Sequence, residues 1–185
     1  MKKRCDWAGG NPLLREYHDK EWGGIIKDDR KLFEFLVLES AQAGLNWLTV
    51  LRKRENYRKA YVNFDPKKVA KFGRREINKL LKDAGIIRNR QKIEASINNA
   101  ARFLEIQKEF GSFFKYSWGF VKSKQIKHTL RKNSDYPTVI PEAIEFAADL
   151  KKRGFKFLGP TIIYAHMQAV GMVDDHMVHC FRRSS

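Results

Sequence analysis

The stretch KRGFKFLGPT, residues 152–161, joins two segments of helical periodicity through a short turn with a glycine at each end, Gly154 and Gly159. Such a turn can point backbone N–H groups outward at the start of the second helix, where the helix dipole also attracts an anion. Basic side chains of the turn would add contacts to phosphate groups: Lys152, Arg153 and Lys156. The stretch therefore predicts a helix-hairpin-helix that binds a nucleic-acid backbone, although glycine is also common in ordinary turns between helices.

The segments outside this turn are also mostly helical. Asp28 or Asp29 can cap a helix that should end at Gly44, and a second helix runs from about Trp47 to Tyr61. Apolar spacing and proline positions predict further helices that begin at Pro66, cover 77–81, 93–104 and 113–120, begin at Pro141, and span 160–170. Periodicity fails over 122–140, which we interpret as a long surface loop, and no strand pattern is convincing. The fold class predicted is all-α.

Composition favours a single domain with a polyanionic partner. The chain has 185 residues, with 37 basic and 21 acidic side chains and a net charge of +16. Such an excess points most simply to nucleic acid, although an anionic membrane surface would also fit. No apolar run approaches the roughly 20 residues of a membrane span. We expect one domain over residues 1–185, with no role in a membrane.

Both ends of the chain carry a cysteine with a histidine nearby: Cys5 and His18, then His176 and Cys180. Two thiolates and two imidazoles form a complete ligand set for structural Zn²⁺. If the C-terminal pair lies on a helix, its spacing of four places both ligands on one face. Buried thiols, or a disulfide in an exported protein, remain alternatives. No apolar segment follows the basic N-terminal residues, so we expect no signal peptide and a reducing, cytoplasmic compartment.

Four aromatic residues accompany the carboxylate of Glu39 in roughly the first quarter of the chain: Trp7, Tyr17, Trp22 and Trp47. Aromatic faces around a carboxylate suit a flat cationic ligand, because the rings supply π surfaces and the carboxylate supplies opposite charge. Packing of these rings in the core is the alternative. Further along, Asp174 and Asp175 precede His176. Either could orient the histidine, cap a helix or act as a base.

Several blocks of sequence, in order, resemble one known family. They are YHDKEWG (17–23), ESAQAGLNW (39–47), KRENY (53–57), AGIIRNR (84–90), KRGFKFLG (152–159) and MQA (167–169). The chain is similar over nearly its whole length, from Cys5 to Cys180, to the bacterial 3-methyladenine DNA glycosylases of the constitutive type I class. The resemblance implies the all-α fold of the helix-hairpin-helix glycosylase superfamily.

The resemblance also implies the function of individual residues. Structural Zn²⁺ would be held by Cys5, His18, His176 and Cys180. The base pocket would use Glu39, Tyr17 and Trp47, with Trp7 and Trp22 nearby, and the Gly154–Gly159 turn would hold the DNA backbone. No motif in the sequence indicates an obligate protein partner, and we expect a monomer. The implied enzyme flips 3-methyladenine out of double-stranded alkylated DNA and hydrolyses its glycosidic bond, leaving an abasic site without cutting the strand.

The chain departs from the family pattern at a few positions. Leu14 stands where some members have a pocket tyrosine, and Ala165 with His166 replace an expected Ser-Phe pair. Asp174 lies where superfamily relatives have a catalytic aspartate, but type I enzymes commonly have asparagine there, so we assign it no catalytic role. These departures leave open a related glycosylase with another lesion preference. The alternative from another functional class is a non-catalytic nucleic-acid-binding module whose chain ends are held together by zinc.

Overall fold

Nine α-helices account for most of residues 2–183, the part of the chain that this computed structural model describes. In chain order they are α1 (Pro12–Lys20), α2 (Asp29–Gln42), α3 (Trp47–Ala60), α4 (Pro66–Val69), α5 (Arg74–Lys82), α6 (Arg90–Phe110), α7 (Phe113–Gly119), α8 (Pro141–Lys152) and α9 (Pro160–Ala169). The predicted all-α class is thus confirmed at the level of a mostly helical fold. Among the described residues, no helix is both long enough and apolar enough to cross a membrane.

Side-chain caps and prolines fix most helix starts. The carboxylate of Asp28 accepts the N–H of Lys31 at 2.8 Å, and the amide oxygen of Asn46 accepts the N–H of Leu48 at 2.8 Å. Pro66, Pro141 and Pro160 each open a helix, as their position in the sequence predicts. Helix α2 ends at Gln42, two residues before the predicted Gly44, which does adopt a left-handed conformation (φ 77°).

Helix α2 lies at the centre of the fold and contacts α3, α6 and α9. Ten of its residues in succession are buried, from Leu32 to Ala41. A helix that is enclosed on all sides carries any polar residue it contains into the interior. Glu34 and Glu39 are therefore both buried. Ion pairs satisfy Glu34, whose Oε1 accepts a 2.7 Å hydrogen bond from Nε of Arg54. Glu39 lies five residues further along, at another side of the helix.

Two features of the fold differ from the sequence predictions. Strands β1 (Ile126–Lys127) and β2 (Val173–Asp174) form a short parallel pair, so the expectation of no strands was wrong. The second strand is followed by irregular structure and a turn rather than a helix. The expectation that His176 and Cys180 share one helix face was therefore wrong. Both errors have one cause: residues 126–130 pair with the C-terminal segment through contacts that are distant in sequence. Helix α1 was not predicted.

Candidate active site

A cavity of about 330 Å³ opens between α1, α2, α3 and α9. Its volume is at the lower end of the range of roughly 300–1,000 Å³ that is typical of small-molecule sites. The lining residues are Trp7, Tyr17, Trp22, Glu39, Gln42, Trp47, Asn133, Tyr136, Ala165 and Gln168. All five residues predicted for the base pocket are among them. The fold thus gathers into one place side chains that are spread over the first quarter of the chain.

The predicted aromatic residues form a continuous wall of this cavity. The ring centroids of Tyr17 and Trp47 are 5.4 Å apart, with 54° between the ring planes. Trp7 contacts Trp22 edge-on, with centroids 5.0 Å apart. The indole Nε1 of Trp47 is buried and has no hydrogen-bond partner among the described residues. The wall therefore offers π surfaces to a flat ligand.

Glu39 is the acidic residue of the cavity, and it is only 4% exposed. Over residues 2–183, no ion pair or hydrogen bond to its carboxyl group offsets this burial. Burial alone raises the pKa of Glu39 from 4.5 to about 8. Burial, with the neighbouring Glu39, also raises the pKa of Tyr17 well above its ordinary value. A buried carboxyl group without a partner in a cavity marks a functional site, because a ligand can supply what the fold does not.

The ends of the chain meet in a cluster of potential metal ligands behind the cavity. Cys5, His18 and Cys180 are buried, and their ligand atoms lie within 4.8 Å of one another. The two cysteines are free thiols. The fourth predicted ligand, His176, lies outside that 4.8 Å group, but its ring centroid is 5.3 Å from that of His18. Three of the four predicted ligands are thus already gathered, and the fourth is their neighbour.

Each histidine of the cluster is oriented by a carboxylate. Nδ1 of His18 is 2.8 Å from Oδ1 of Asp19, and Nδ1 of His176 is 2.8 Å from Oδ1 of Asp174. These contacts leave Nε2 of each ring for a metal ion, as is usual for histidine ligands. Nε2 of His176 is buried without a hydrogen-bond partner within the described part of the chain. A metal ion bound there would satisfy that nitrogen.

The metal-ligand cluster and the cavity share a wall. The ring of Trp22 lines the cavity and packs edge-on against His176, with centroids 4.6 Å apart. Gly23 has a left-handed conformation (φ 75°), and a Cβ atom there would collide with the imidazole ring of His176. A glycine is therefore required next to Trp22 for the C-terminal segment to approach this closely.

The turn between α8 and α9 adopts a fixed conformation. Gly154 is left-handed (φ 84°), which favours glycine. Helix α6 holds the turn, since the side chain of Asn99 both accepts from and donates to the backbone of Lys156 at 2.8 Å. Lys152 and Lys156 are exposed. Arg153, however, forms ion pairs at 2.7 Å with Asp149 and Glu109, so its guanidinium group is engaged within the protein.

Sequence reasoning gave no role to several residues that line the cavity. Asn133 and Tyr136 come from the loop 122–140, where no periodicity indicates which side chains point inward. Gln168 belongs to a sequence block that matched the family but had no assigned function. Of the departures noted above, Ala165 lines the cavity, whereas His166 is completely buried outside its lining, and burial lowers its pKa to about 3.

Neither of the two adjacent aspartates lines the cavity. Asp174 accepts hydrogen bonds from the backbone N–H of His176 as well as contacting its ring. Asp175 is bound by Tyr164, Gln168 and His128. Orientation of His176 is therefore the role that the contacts of Asp174 support, and no helix follows it between Asp175 and Arg183 for it to cap.

An aromatic cavity with one unpaired carboxyl group, inside a basic helical protein, is suited to a flat, positively charged base. The same architecture is found in solved DNA glycosylases. A crystal structure of a 3-methyladenine DNA glycosylase I is 45% identical and superposes with a TM-score of 0.95, covering 98% of this chain and 100% of that chain. The 3-methyladenine DNA glycosylase I from Staphylococcus aureus, described with the structural basis of its 3-methyladenine recognition, is 37% identical with a TM-score of 0.94, covering 98% and 97%.

The chain belongs to the methyladenine glycosylase family, whose family model matches residues 7–183. Among curated relatives, the DNA-3-methyladenine glycosylase 1 of Escherichia coli (strain K12) is 46% identical over 178 residues, which cover 96% of this chain and 95% of the relative. The DNA-3-methyladenine glycosylase of Haemophilus influenzae is 44% identical over 180 residues, with 97% of each chain covered. The predicted resemblance is thereby confirmed over nearly the whole chain.

Proposed function

We propose that this chain is a DNA-3-methyladenine glycosylase that hydrolyses the bond between 3-methyladenine and its deoxyribose in alkylated double-stranded DNA. The observation that carries the proposal is Glu39, a buried carboxyl group without a partner inside an aromatic cavity. The family to which the chain belongs and the names of its relatives support the same activity.

The chemistry of the substrate sets modest demands on the protein. A methyl group on N3 of adenine in DNA gives the base a positive charge, so the base departs as a neutral molecule. Water forms a bond to C1′, the bond from C1′ to N9 breaks, and one proton is released to solvent. The protein must mainly extrude the nucleotide, which costs a few kcal/mol, and hold the charged base. Strong general-acid help for the leaving group is not needed.

The cavity meets these demands through charge and stacking. Tyr17 and Trp47 would stack on the base, while Trp7 and Trp22 complete the aromatic wall. A cationic base beside Glu39 favours the ionised form of its carboxyl group, whereas a neutral adenine does not favour that form. Glu39 would thus stabilise the charged base and accept hydrogen bonds from it. The lining of the cavity over residues 2–183 contains no lysine, which supports hydrolysis without a covalent intermediate or strand cleavage.

The DNA backbone would bind at the turn between α8 and α9. No side chain caps the N-terminus of α9 at Gly159, so its backbone N–H groups are available to a phosphate. Exposed Lys152 and Lys156 add positive charge, and Gly154 gives the turn its conformation. Arg153 would stabilise the turn rather than bind phosphate, since two carboxylates already engage it. This arrangement supports a helix-hairpin-helix that binds DNA without reading its sequence.

A structural Zn²⁺ would be bound by Cys5, His18, His176 and Cys180. The residues fit this ion, because the set offers two thiols and two imidazoles whose Nδ1 atoms contact carboxylates, and one imidazole has an unsatisfied buried nitrogen. Burial raises the pKa of the Cys5 thiol to about 12, so a cation is needed to stabilise a thiolate there. When bound, the ion would tie the N-terminal segment to the C-terminal segment behind Trp22.

The proposal is tested by the release of free bases from N-methylated duplex DNA, with the products resolved by chromatography. The wild-type protein should release 3-methyladenine with little 7-methylguanine and without nicking the strand. Glu39→Gln should lower this release by several orders of magnitude while binding to undamaged DNA is unchanged. Tight DNA binding without base release would instead indicate a non-catalytic binding module. Release of other bases in preference would indicate a related glycosylase.

A further inference from the structure

The side-chain amide of Gln168 is held in one orientation. Its Nε2 donates a 2.6 Å hydrogen bond to Oδ2 of Asp175. The same oxygen accepts from the hydroxyl group of Tyr164, and Oδ1 of Asp175 lies 2.6 Å from Nδ1 of His128. A carboxylate can only accept hydrogen bonds, so the NH₂ end of the amide must be the end that faces Asp175. If the amide turned over, its oxygen would lie against a carboxylate oxygen.

The opposite end of this amide is available to a ligand. Gln168 lines the aromatic cavity, and its Oε1 accepts no hydrogen bond from any residue between 2 and 183. Gln42 also lines the cavity, but no hydrogen bond from the described residues fixes its amide, so it can turn either end toward a ligand. Gln168 therefore differs from Gln42 in that its amide has a fixed orientation, with the acceptor Oε1 at the end away from Asp175.

The base that enters the cavity has N–H donors at one position only. In 3-methyladenine attached to deoxyribose, N1 and N7 are acceptors, N3 carries the methyl group, and N9 carries the sugar. Both N–H donors belong to the 6-amino group. That group can supply one hydrogen to Glu39 and the other to a second acceptor. The fixed acceptor at Gln168 matches this requirement.

We infer that Gln168 is a specificity-determining residue that accepts a hydrogen bond from the 6-amino group of the bound 3-methylpurine, and that Asp175 is its positioning residue. This inference deepens the proposed function and rests on it. A 6-oxo purine places an acceptor where the 6-amino group would be, so two oxygen atoms face each other without a proton. Sites that leave buried polar groups unpaired in this way reject the wrong ligand strongly.

The test compares two bases released from the same methylated duplex, 3-methyladenine and 3-methylguanine, which carries a 6-oxo group. Their competition in one reaction gives the ratio of the two kcat/KM values directly. Gln168→Met keeps the length of the side chain but removes the acceptor, and it should lower this ratio about tenfold. Gln125→Met is the matched control, because its amide binds the backbone of Gly171 at 2.9 Å outside the cavity lining. The control should leave the ratio unchanged.

A second variant tests the positioning role. Asp175→Asn supplies an N–H donor next to Gln168, so the amide can turn and present NH₂ to the cavity. The ratio should then fall as it does in Gln168→Met, and the double variant should fall no further. If Asp175 only supports the structure, both rates will fall together and the ratio will stay constant. A ratio unchanged in Gln168→Met overturns the inference, whereas a wild-type protein that releases no 3-methyladenine overturns the proposed function itself.

Discussion

Replacement of Glu39 by glutamine should stabilise the protein increasingly as pH rises. The pKa of Glu39 is raised by burial from 4.5 to about 8, so its proton is bound more tightly in the folded protein than in the unfolded chain. A group of this kind contributes most to folding below pH 4.5, and the contribution is lost as pH rises through 8. Glutamine stays neutral throughout, and it therefore avoids the cost of ionising a buried carboxyl group.

The interval from 4.5 to about 8 sets the size of the effect. At about 1.4 kcal/mol per pH unit, it corresponds to about 5 kcal/mol in the free energy of unfolding. The difference between Glu39→Gln and the wild type should therefore rise by about 5 kcal/mol from pH 4.5 to pH 9. Relaxation of the cavity around the ionised group will reduce this value, so we take it as an upper bound.

Urea unfolding of both proteins at several pH values between 5 and 9 measures this difference. Any other titrating group contributes equally to the free energy of unfolding of both proteins, so its contribution cancels. Glu34→Gln, on the same helix, is the matched control. Burial acts to raise the pKa of Glu34, but its ion pairs with Arg54 and neighbouring basic residues outweigh burial and keep that pKa below 4.5. The difference for this control should be constant over the same range. A constant difference for Glu39→Gln as well would refute the account of Glu39 as a buried, unpaired carboxyl group.

Three further predictions concern the metal-ligand cluster and the turn between α8 and α9. The purified protein should contain about one Zn²⁺ per chain by elemental analysis. The Cys180→Ser variant should lose the metal and melt at a lower temperature. Equal metal content in the two proteins would contradict the proposed ligand set. Gly154→Ala should weaken DNA binding, because a Cβ atom at φ 84° costs about 1–2 kcal/mol, and unchanged affinity in a binding titration would argue against the role of this turn. Lys156→Ala should weaken DNA binding and reduce its salt dependence by about one phosphate contact, whereas Arg153→Ala should lower the melting temperature without changing that dependence.

Features encoded locally could be predicted from the sequence. Asp28, Asn46 and the prolines that open helices act on their own neighbourhood, so the starts of most helices followed from short stretches. The parallel pairing of Ile126 with Val173 depends instead on contacts across 47 positions of the chain, and no local pattern indicates it. The same pairing places His176 in an irregular segment just after β2 rather than on a helix. The identity of the four proposed ligands did not depend on that error.

The cavity was predictable in part for a similar reason. The aromatic residues and Glu39 stood out because their types are unusual in combination, and the family resemblance then gave them a common role. Tyr136 lies in a loop without periodicity, so its inward orientation depends on the packing of the whole fold. The proposed role of Gln168 depends on its contact with Asp175, which fixes the orientation of the amide. A glutamine whose amide is not fixed could either donate or accept a hydrogen bond.

The burial of Glu39 connects the stability of the protein to its choice of ligand. Near neutral pH the empty cavity favours the protonated carboxyl group, because nothing in the fold compensates its charge. A cationic base supplies that compensation, so its binding draws Glu39 toward the carboxylate and the proton is released. Neutral adenine offers no such compensation and meets an uncharged carboxyl group. In the proposed function, the unpaired state that makes Glu39 costly for folding would thus allow the cavity to distinguish a charged base from the normal bases that surround it.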